Sequence, residues 1–400
     1  MLRRGQINVA IVTISVLIGL ICRYLLRDQV TGDTFEFLLP WYEFYRSHEV
    51  SGLGRAFTEY TPFYRYLLLA AAQFHGLTEP WYLIKAISLV FEFGCAVLAA
   101  RLVALDGRHR HAPAIAFAAV WLAPTVLFNG AAWGQSDSLW TFFILLSVLL
   151  FCRAKPGAGV IAFAAGFSVK APASFLAPFI LALVLRRTIH WAWLAAIPLT
   201  YFIIAAPAWL LGLPLSEIAM VYIKQGAKYE RLSMNAANIW LFIPNRFYEV
   251  GATLGLAVAA NAALAFSVLV SHSKRDFKIE HLVLLAALSL LLMPSVLPKM
   301  HDRYFYAFEV MAIVLACIKP RLAVIAIAAQ LNGVLAYLAY YGIAADWLAV
   351  AAIGNIWILL ELGLYAWRTL GKADSDEATA FSPMLFVGGL AAFWGVGLLA

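Results

Sequence analysis

Residues 8–25, NVAIVTISVLIGLICRYL, form an apolar run of 18 residues behind the basic start MLRRG. A helix of that length is about as long as the ~30 Å hydrocarbon core of a bilayer is thick. A secretory leader shares the basic start and the apolar run. No small-x-small cleavage site follows here, so the segment is expected to be a retained first span. Similar runs recur at about 82–105, 112–128, 138–152, 158–168 with 171–185 as a short pair, 190–212, 250–270, 280–293, 304–318, 322–343, 347–367 and 380–400. They consist of Leu, Ala, Ile, Val and Phe throughout, without the alternating ~10-residue pattern of an outer-membrane barrel, so the spans read as helices.

Composition agrees. Hydrophobic residues make up 64% of the 400 and charged residues 13%, against ~45–50% and ~25% in soluble domains. The chain is therefore expected to be an all-α polytopic membrane protein with about 11–13 transmembrane helices, one integral domain over 1–400. No soluble appendage, linker or repeat is evident. The stretch YTPFYRYLLLAAAQFHGL (60–77) is short and polar at both ends and reads as an interfacial or re-entrant helix. Cys22, Cys95, Cys152 and Cys317 lie in or beside apolar runs without C-x-x-C spacing, so neither a disulfide framework nor a zinc site is indicated.

Lysines and arginines set the orientation. With the N-terminus inside, the turns LRRG, ARLVALDGRHRH, CRAKPG, LRRT, SHSKRDFKIE, KPR and WRTLGK carry about 16 of the 29 basic residues, as the positive-inside rule asks. The net charge of +7 then calls for no nucleic-acid partner. His109 and His111 fall in one of these Arg-rich turns and read as topogenic charge. On the opposite, outer face cations and carboxylates are balanced and aromatics are frequent, so function is expected there.

Several outer segments carry chemistry. A first loop of ~35 to 40 residues is too long to be a plain connection. In it, Asp33 follows Gly32 just beyond the membrane edge, with Glu36 one turn on. A partly desolvated carboxylate suits a general base for a sugar hydroxyl. Asp33 could equally cap the helix that follows. In LFNGAAWGQSDSLWTFF (127–143), Gln135 and Asp137 are polar at a depth where side chains usually line a cavity, whereas Trp133 and Trp140 are also ordinary membrane-belt residues. Lys170 stands between two half-length spans, as a cation at an anion site or as a snorkelling lysine. The outer stretch 214–246 adds Arg231, Asn235 and Asn238. In LPKMHDRYF (297–305), Lys299, His301, Asp302 and Arg303 lie within five positions. There is no GxGxxG, Walker, HExxH or Gly-x-Ser-x-Gly motif. An activated substrate would have to come from the membrane.

The segments GDTFEFLLPWYEFYRSHEV…YTPFYRYLL, NGAAWGQSDSLWTFFILLSVLL, GFSVKAPASFLAPFIL, LSMNAANIW and LPKMHDRYFYAFEVMAI, in this order, resemble bacterial relatives of GPI mannosyltransferase II in the GT-C superfamily of polyprenyl-phosphate-sugar-dependent glycosyltransferases. They are more distantly similar to dolichyl-phosphate-glucose glucosyltransferases. The resemblance spans about 1–320; the final spans, 321–400, carry no motif. It implies a GT-C fold with interfacial helices in the first extracytoplasmic loop, and a site facing the periplasm from a bacterial inner membrane. It also implies inverting transfer of a hexose, mannose by default, from a polyprenyl-phosphate-sugar donor to a glycan or glycolipid acceptor. Asp33 becomes the catalytic base. Glu36, Tyr60, Trp133, Gln135, Asp137, Asn235 and Asn238 become substrate-binding residues, with Thr61 departing from the commoner Tyr-Pro-Pro form. Lys170, Arg231, Lys299, His301 and Arg303 become candidates for the donor phosphate, and Asp302 orients His301 or Arg303. Cations at the phosphate remove the need for a metal, so no cofactor and no metal is expected. A polysaccharide polymerase or ligase, and a lipid-linked sugar transporter or flippase, are the competing classes.

Overall fold

The computed structural model describes residues 4–343 and 345–371, which form an all-α bundle. Helix α1 (Arg4–Leu26) is the first span. The long loop behind it folds into a π-turn at Thr34–Leu38, α2 (Leu39–His48), a 3-10 turn at Glu49–Gly54 and α3 (Pro62–Ala72). With 11 residues, α3 is only about 16 Å long and cannot cross a bilayer. Then come α4 (Pro80–Asp106), α5 (Ala112–Trp121) and α6 (Pro124–Val126), the last continued by a π-helix at Leu127–Trp133. Helices α7 (Asp137–Cys152), α8 (Pro156–Phe167) and α9 (Ala177–Leu185) follow, α9 entered through a 3-10 turn at Ala171–Leu176. Next are α10 (Ala196–Leu210), α11 (Leu215–Ala227), α12 (Tyr248–Ser271), α13 (Ile279–Val296), α14 (Tyr306–Ile318), α15 (Ala323–Tyr340) and α16 (Leu348–Gly371).

Eight helical stretches among the described residues are long and apolar enough to cross a membrane, and four shorter apolar ones accompany them. This is a multi-pass membrane protein. The expected spans are recovered with their ends shifted by a few residues; the one expected at 380–400 lies outside the described residues. The largest shift is at 112–128, which continues to Trp133. Pro124 lacks an N–H and crowds the preceding turn, which separates α5 from α6. The π-turns beyond it close at Gly134, whose φ of 80° suits a residue without a Cβ.

Length decides where the helix ends meet. Helices α7, α8 and α14 have 16, 12 and 13 residues, or about 24, 18 and 20 Å. Each has one end at a basic turn (Arg153 and Lys155, or Lys319), so its other end stops short of the far surface. Those other ends carry Asp137, Lys170 and Arg303. At the centre stands α13, with 72% of its apolar window buried, against 17% for α1 and 11% for the α10 span; the latter two face lipid. Within the bilayer, Arg23 of α1 ion-pairs with Glu92 of α4 at 2.7 Å, both buried.

Candidate active site

Asp137 opens α7 and is fully buried. Its Oδ1 accepts hydrogen bonds from Lys170 Nζ at 2.7 Å and Trp140 Nε1 at 2.9 Å, and its Oδ2 accepts one from Asn129 Nδ2 at 3.0 Å. Arg303 Nε stands 3.5 Å from the same Oδ2. That is ion-pair range without hydrogen-bond alignment, and this Nε has no hydrogen-bond partner among the described residues. One carboxylate thus faces two cations. Burial works against the charge on Lys170, but Asp137 more than offsets it and keeps its pKa raised.

Asp33 lies across Trp133 from this cluster. Its Oδ2 accepts from Trp133 Nε1 at 3.1 Å and Gln135 Nε2 at 2.9 Å. Its Oδ1 accepts no hydrogen bond from the described residues. The carboxylate makes no cap bond to the helix that follows, so capping is not its role. Instead the loop turns on Thr31 and Thr34, whose backbone and hydroxyl groups bond to each other, and this leaves Asp33 half-buried toward the indole.

Trp133 is the hub. Its ring stacks on Tyr340 at 3.7 Å between centroids and 21° between planes, and the Arg303 guanidinium lies over it at 5.1 Å. Asn129 also donates to Tyr337 Oη at 2.9 Å. Sequence reasoning missed Tyr337 and Tyr340 because α15 lies in the part of the chain without a motif. The cluster LAYLAYY (335–341) was the available signal, since tyrosines three and four apart share a helix face.

The segment 299–303 is positioned by a two-stranded parallel ladder, β1 (Ser233–Met234) with β2 (Met300–His301). Lys299 N donates to Leu232 O at 2.7 Å, and Asp302 N to Met234 O at 3.2 Å. Asn235 and Lys299 flank it with φ of 60° and 64°; the latter is a left-handed strain that the ladder offsets. His301 lies between Tyr304 and Tyr229, 5.1 and 6.4 Å from their centroids. Burial, reinforced by the Arg303 and Lys170 charges, holds its imidazole well below the ordinary range, hence neutral near pH 7. Asp302 Oδ1 accepts from Arg303 N at 2.9 Å and stands 3.4 Å from Arg303 Nη1. Burial pushes the Asp302 carboxyl up to about 7, although Arg303 pulls the other way.

The fold therefore brings Asp33, Trp133, Gln135, Asp137, Lys170, His301, Asp302 and Arg303 into one cluster. Tyr60 joins them: its hydroxyl is 3.3 Å from Ser136 Oγ, and Lys170 Nζ is 5.8 Å from its ring. Other candidates are placed differently. Lys299 Nζ donates to Tyr248 Oη at 2.6 Å. Asn238 is wholly buried and spends its amide on Pro294 O, Leu297 O and Trp240 N. Glu36, Arg231 and Asn235 are exposed. Lys228, a further outer cation, is ion-paired with Glu59 at 2.6 Å. Among the described residues no group of three His, Cys, Asp or Glu side chains is placed to hold a metal ion.

No curated protein matches the chain. Residues 54–186, about a third of the sequence, match the family described as alpha-(1->6)-mannopyranosyltransferase, N-terminal domain. The matched segment contains Tyr60, Trp133, Gln135, Asp137 and Lys170, and stops short of Asp33 on one side and Arg303 on the other. With the membrane bundle, that match supports a glycosyltransferase of the GT-C type whose relatives are mannosyltransferases.

Proposed function

We propose that the protein is an inverting glycosyltransferase that moves a hexose, mannose by default, from a polyprenyl-phosphate-sugar donor to an extracytoplasmic glycan or lipid-linked acceptor. One arrangement carries this reading: Asp33 is held at the edge of Trp133 while Arg303 lies over its ring. A carboxylate and a guanidinium on one indole are what a single displacement needs. The acceptor oxygen attacks the anomeric carbon and passes its proton to Asp33. The bond from that carbon to the phosphate oxygen breaks, and polyprenyl phosphate leaves with an added negative charge. The Arg303 guanidinium meets that charge, and Lys170 supports it through the shared Asp137. His301, being neutral, contributes a hydrogen bond at most. Gln135, beside Asp33, and Tyr60, beside Lys170, are the proposed readers of the sugar hydroxyls. With cations already at the leaving group, the reaction is proposed to need neither metal nor cofactor.

The closer likeness to bacterial relatives of GPI mannosyltransferase II, the inner-membrane location and the periplasmic face belong to the same proposal. The test uses purified protein with synthetic polyprenyl-phospho-sugars and membrane acceptors, wild type beside Asp33→Asn. Transfer is expected from the wild type and a loss of roughly 10²–10⁴-fold in the variant. Undiminished transfer by the variant removes Asp33 as the base. Sugar-lipid crossing liposomes without transfer would instead identify a transporter, and repeated addition of whole glycan units a polymerase or ligase.

A further inference from the structure

A second polar cluster surrounds a cavity of about 510 Å³ at the opposite end of the bundle. It lies where α4 and α14 end, α13 begins and α16 ends. Six cations line it, Arg108, Arg275, Lys278, Lys319, Arg321 and Arg368, against the two carboxylates of Asp106 and Glu280. Both carboxylates are already engaged: Arg108 binds Asp106 and Glu280, and Lys319 stands 2.7 Å from Glu280. Among the described residues, Lys278, Arg321 and Arg368 ion-pair with no carboxylate, and Arg321 Nη2 donates only to Tyr365 Oη at 2.6 Å. The exposed guanidinium groups of Arg321 and Arg368, with the Lys278 ammonium, at the rim of a half-open cavity suit an anion with several acceptor oxygens, which is the chemistry of phosphate.

Position points to the source. Four membrane helices have their ends here, on the face that carries the basic turns. Beside Arg368, Leu364 and Trp367 are exposed at 48% and 66%, an apolar and aromatic rim level with the headgroup region. We propose that this cavity binds the phosphate of an anionic phospholipid headgroup, in the leaflet opposite the Asp33 site, with acyl chains along the outer face of α16. None of these residues belongs to the proposed transfer site, and the proposal does not depend on it.

The experiment is native mass spectrometry of the full chain released from phosphatidylcholine nanodiscs made with and without phosphatidylglycerol. Wild type is expected to retain phosphatidylglycerol, and Arg321→Gln with Arg368→Gln to retain it on the order of tenfold less, at about one cation's worth of attraction per residue. Arg153→Gln with Lys155→Gln removes the same charge from another turn on that face and is expected to retain lipid as wild type does. Equal retention by the two double variants overturns the proposal. Thermal stabilisation by inorganic phosphate without lipid retention overturns the lipid source and assigns the cavity to a soluble anion. Retention that emerges only in Asp374→Asn, Asp376→Asn and Glu377→Gln combined overturns it in favour of the chain's own acidic stretch.

Discussion

Among the described residues, two cation–carboxylate clusters are buried in this bundle, and they are built on different plans. Arg23 and Glu92 pair one to one, with Arg23 Nε and Nη2 at 2.9 and 2.7 Å from Glu92 Oε2. Nη1 donates to Gly19 O at 3.1 Å, Nη2 also donates to Trp121 O at 3.2 Å, and the guanidinium lies 3.6 Å over the Trp121 ring. Gly130 closes the pocket: an added Cβ there would fall on the Glu92 carboxylate. Asp137, by contrast, divides itself between Lys170 and Arg303, and Arg303 keeps an unbonded N–H. The one-to-one pair ties α1 to α4 and is neutral, although Glu92 Oε1 has no hydrogen-bond partner among the described residues. The Asp137 cluster sets Lys170 and Arg303 against Asp137 and Asp302, and it is net positive only while Asp302 is protonated; the proposed function would have the donor's anion meet that charge. Burial and ion pairing are common to both clusters; the balance of charge is what sets them apart.

The sharpest way to break the comparison is to open the closed pair. Arg23→Gln leaves Glu92 buried without its cation, which costs about 3–5 kcal/mol. Thermal melting in detergent should fall accordingly, while transfer per folded molecule stays near wild type. Replacing both partners, Arg23→Met with Glu92→Leu, should return most of the lost stability, because no charge remains to be compensated. A selective loss of transfer in the double variant would show that the pair has a part in the chemistry, and the contrast would collapse.

Arg303→Gln tests the other side. It removes the cation whose bond to Asp137 is the weaker, so melting should shift less than for Arg23→Gln. Transfer should fall roughly 10²–10³-fold, the usual effect of removing one donor from developing charge. The loss should be in kcat as much as in KM. A large drop in stability with unchanged turnover of the surviving protein would make Arg303 a structural residue like Arg23.

How much of this was legible depends on the range of the signal. The spans were readable because hydropathy is local, and the short pair around Lys170 was readable because helix length is. Asp33 stood out as a carboxylate just beyond the membrane edge, and Gln135 and Asp137 as polar groups at membrane depth. What sequence could not supply were contacts between distant segments. The ladder joining Ser233–Met234 to Met300–His301 links residues 67 apart and turns Lys299 toward Tyr248 and away from the cluster. Asn238 reads as a site polar residue, yet its amide is consumed by the backbone of α13 and its own turn. Tyr340 lies in a span that carries no motif, although its ring covers the indole that holds Asp33. The first span shows the converse limit: Arg23 is visible in the sequence, but nothing in it names Glu92, 69 residues on, as its partner.

Asp302 offers the smallest effect and the finest test of what an open cluster does. Its carboxyl is pushed up to about 7 by burial, against the pull of Arg303 and with Asp33 and Asp137 adding repulsion. Below that pH Asp302 is neutral, Arg303 faces Asp137 alone, and the cluster is at its most positive. Above it a second carboxylate shares Arg303, and the cluster loses one unit of charge. Donor KM should therefore rise as pH increases through about 7, by roughly tenfold at most for one charge at this range. Asp302→Asn, neutral throughout, should hold the low-pH KM across the interval. Stability has a sign of its own. A carboxyl whose folded pKa is raised stabilises least once ionised, so wild type loses stability as pH rises from the ordinary carboxylate range to about 7. The variant should therefore melt higher than wild type in mild alkali and not in mild acid. A shift in melting without a shift in donor KM would place Asp302 with the closed kind of pair, holding Arg303 in the fold without governing its charge.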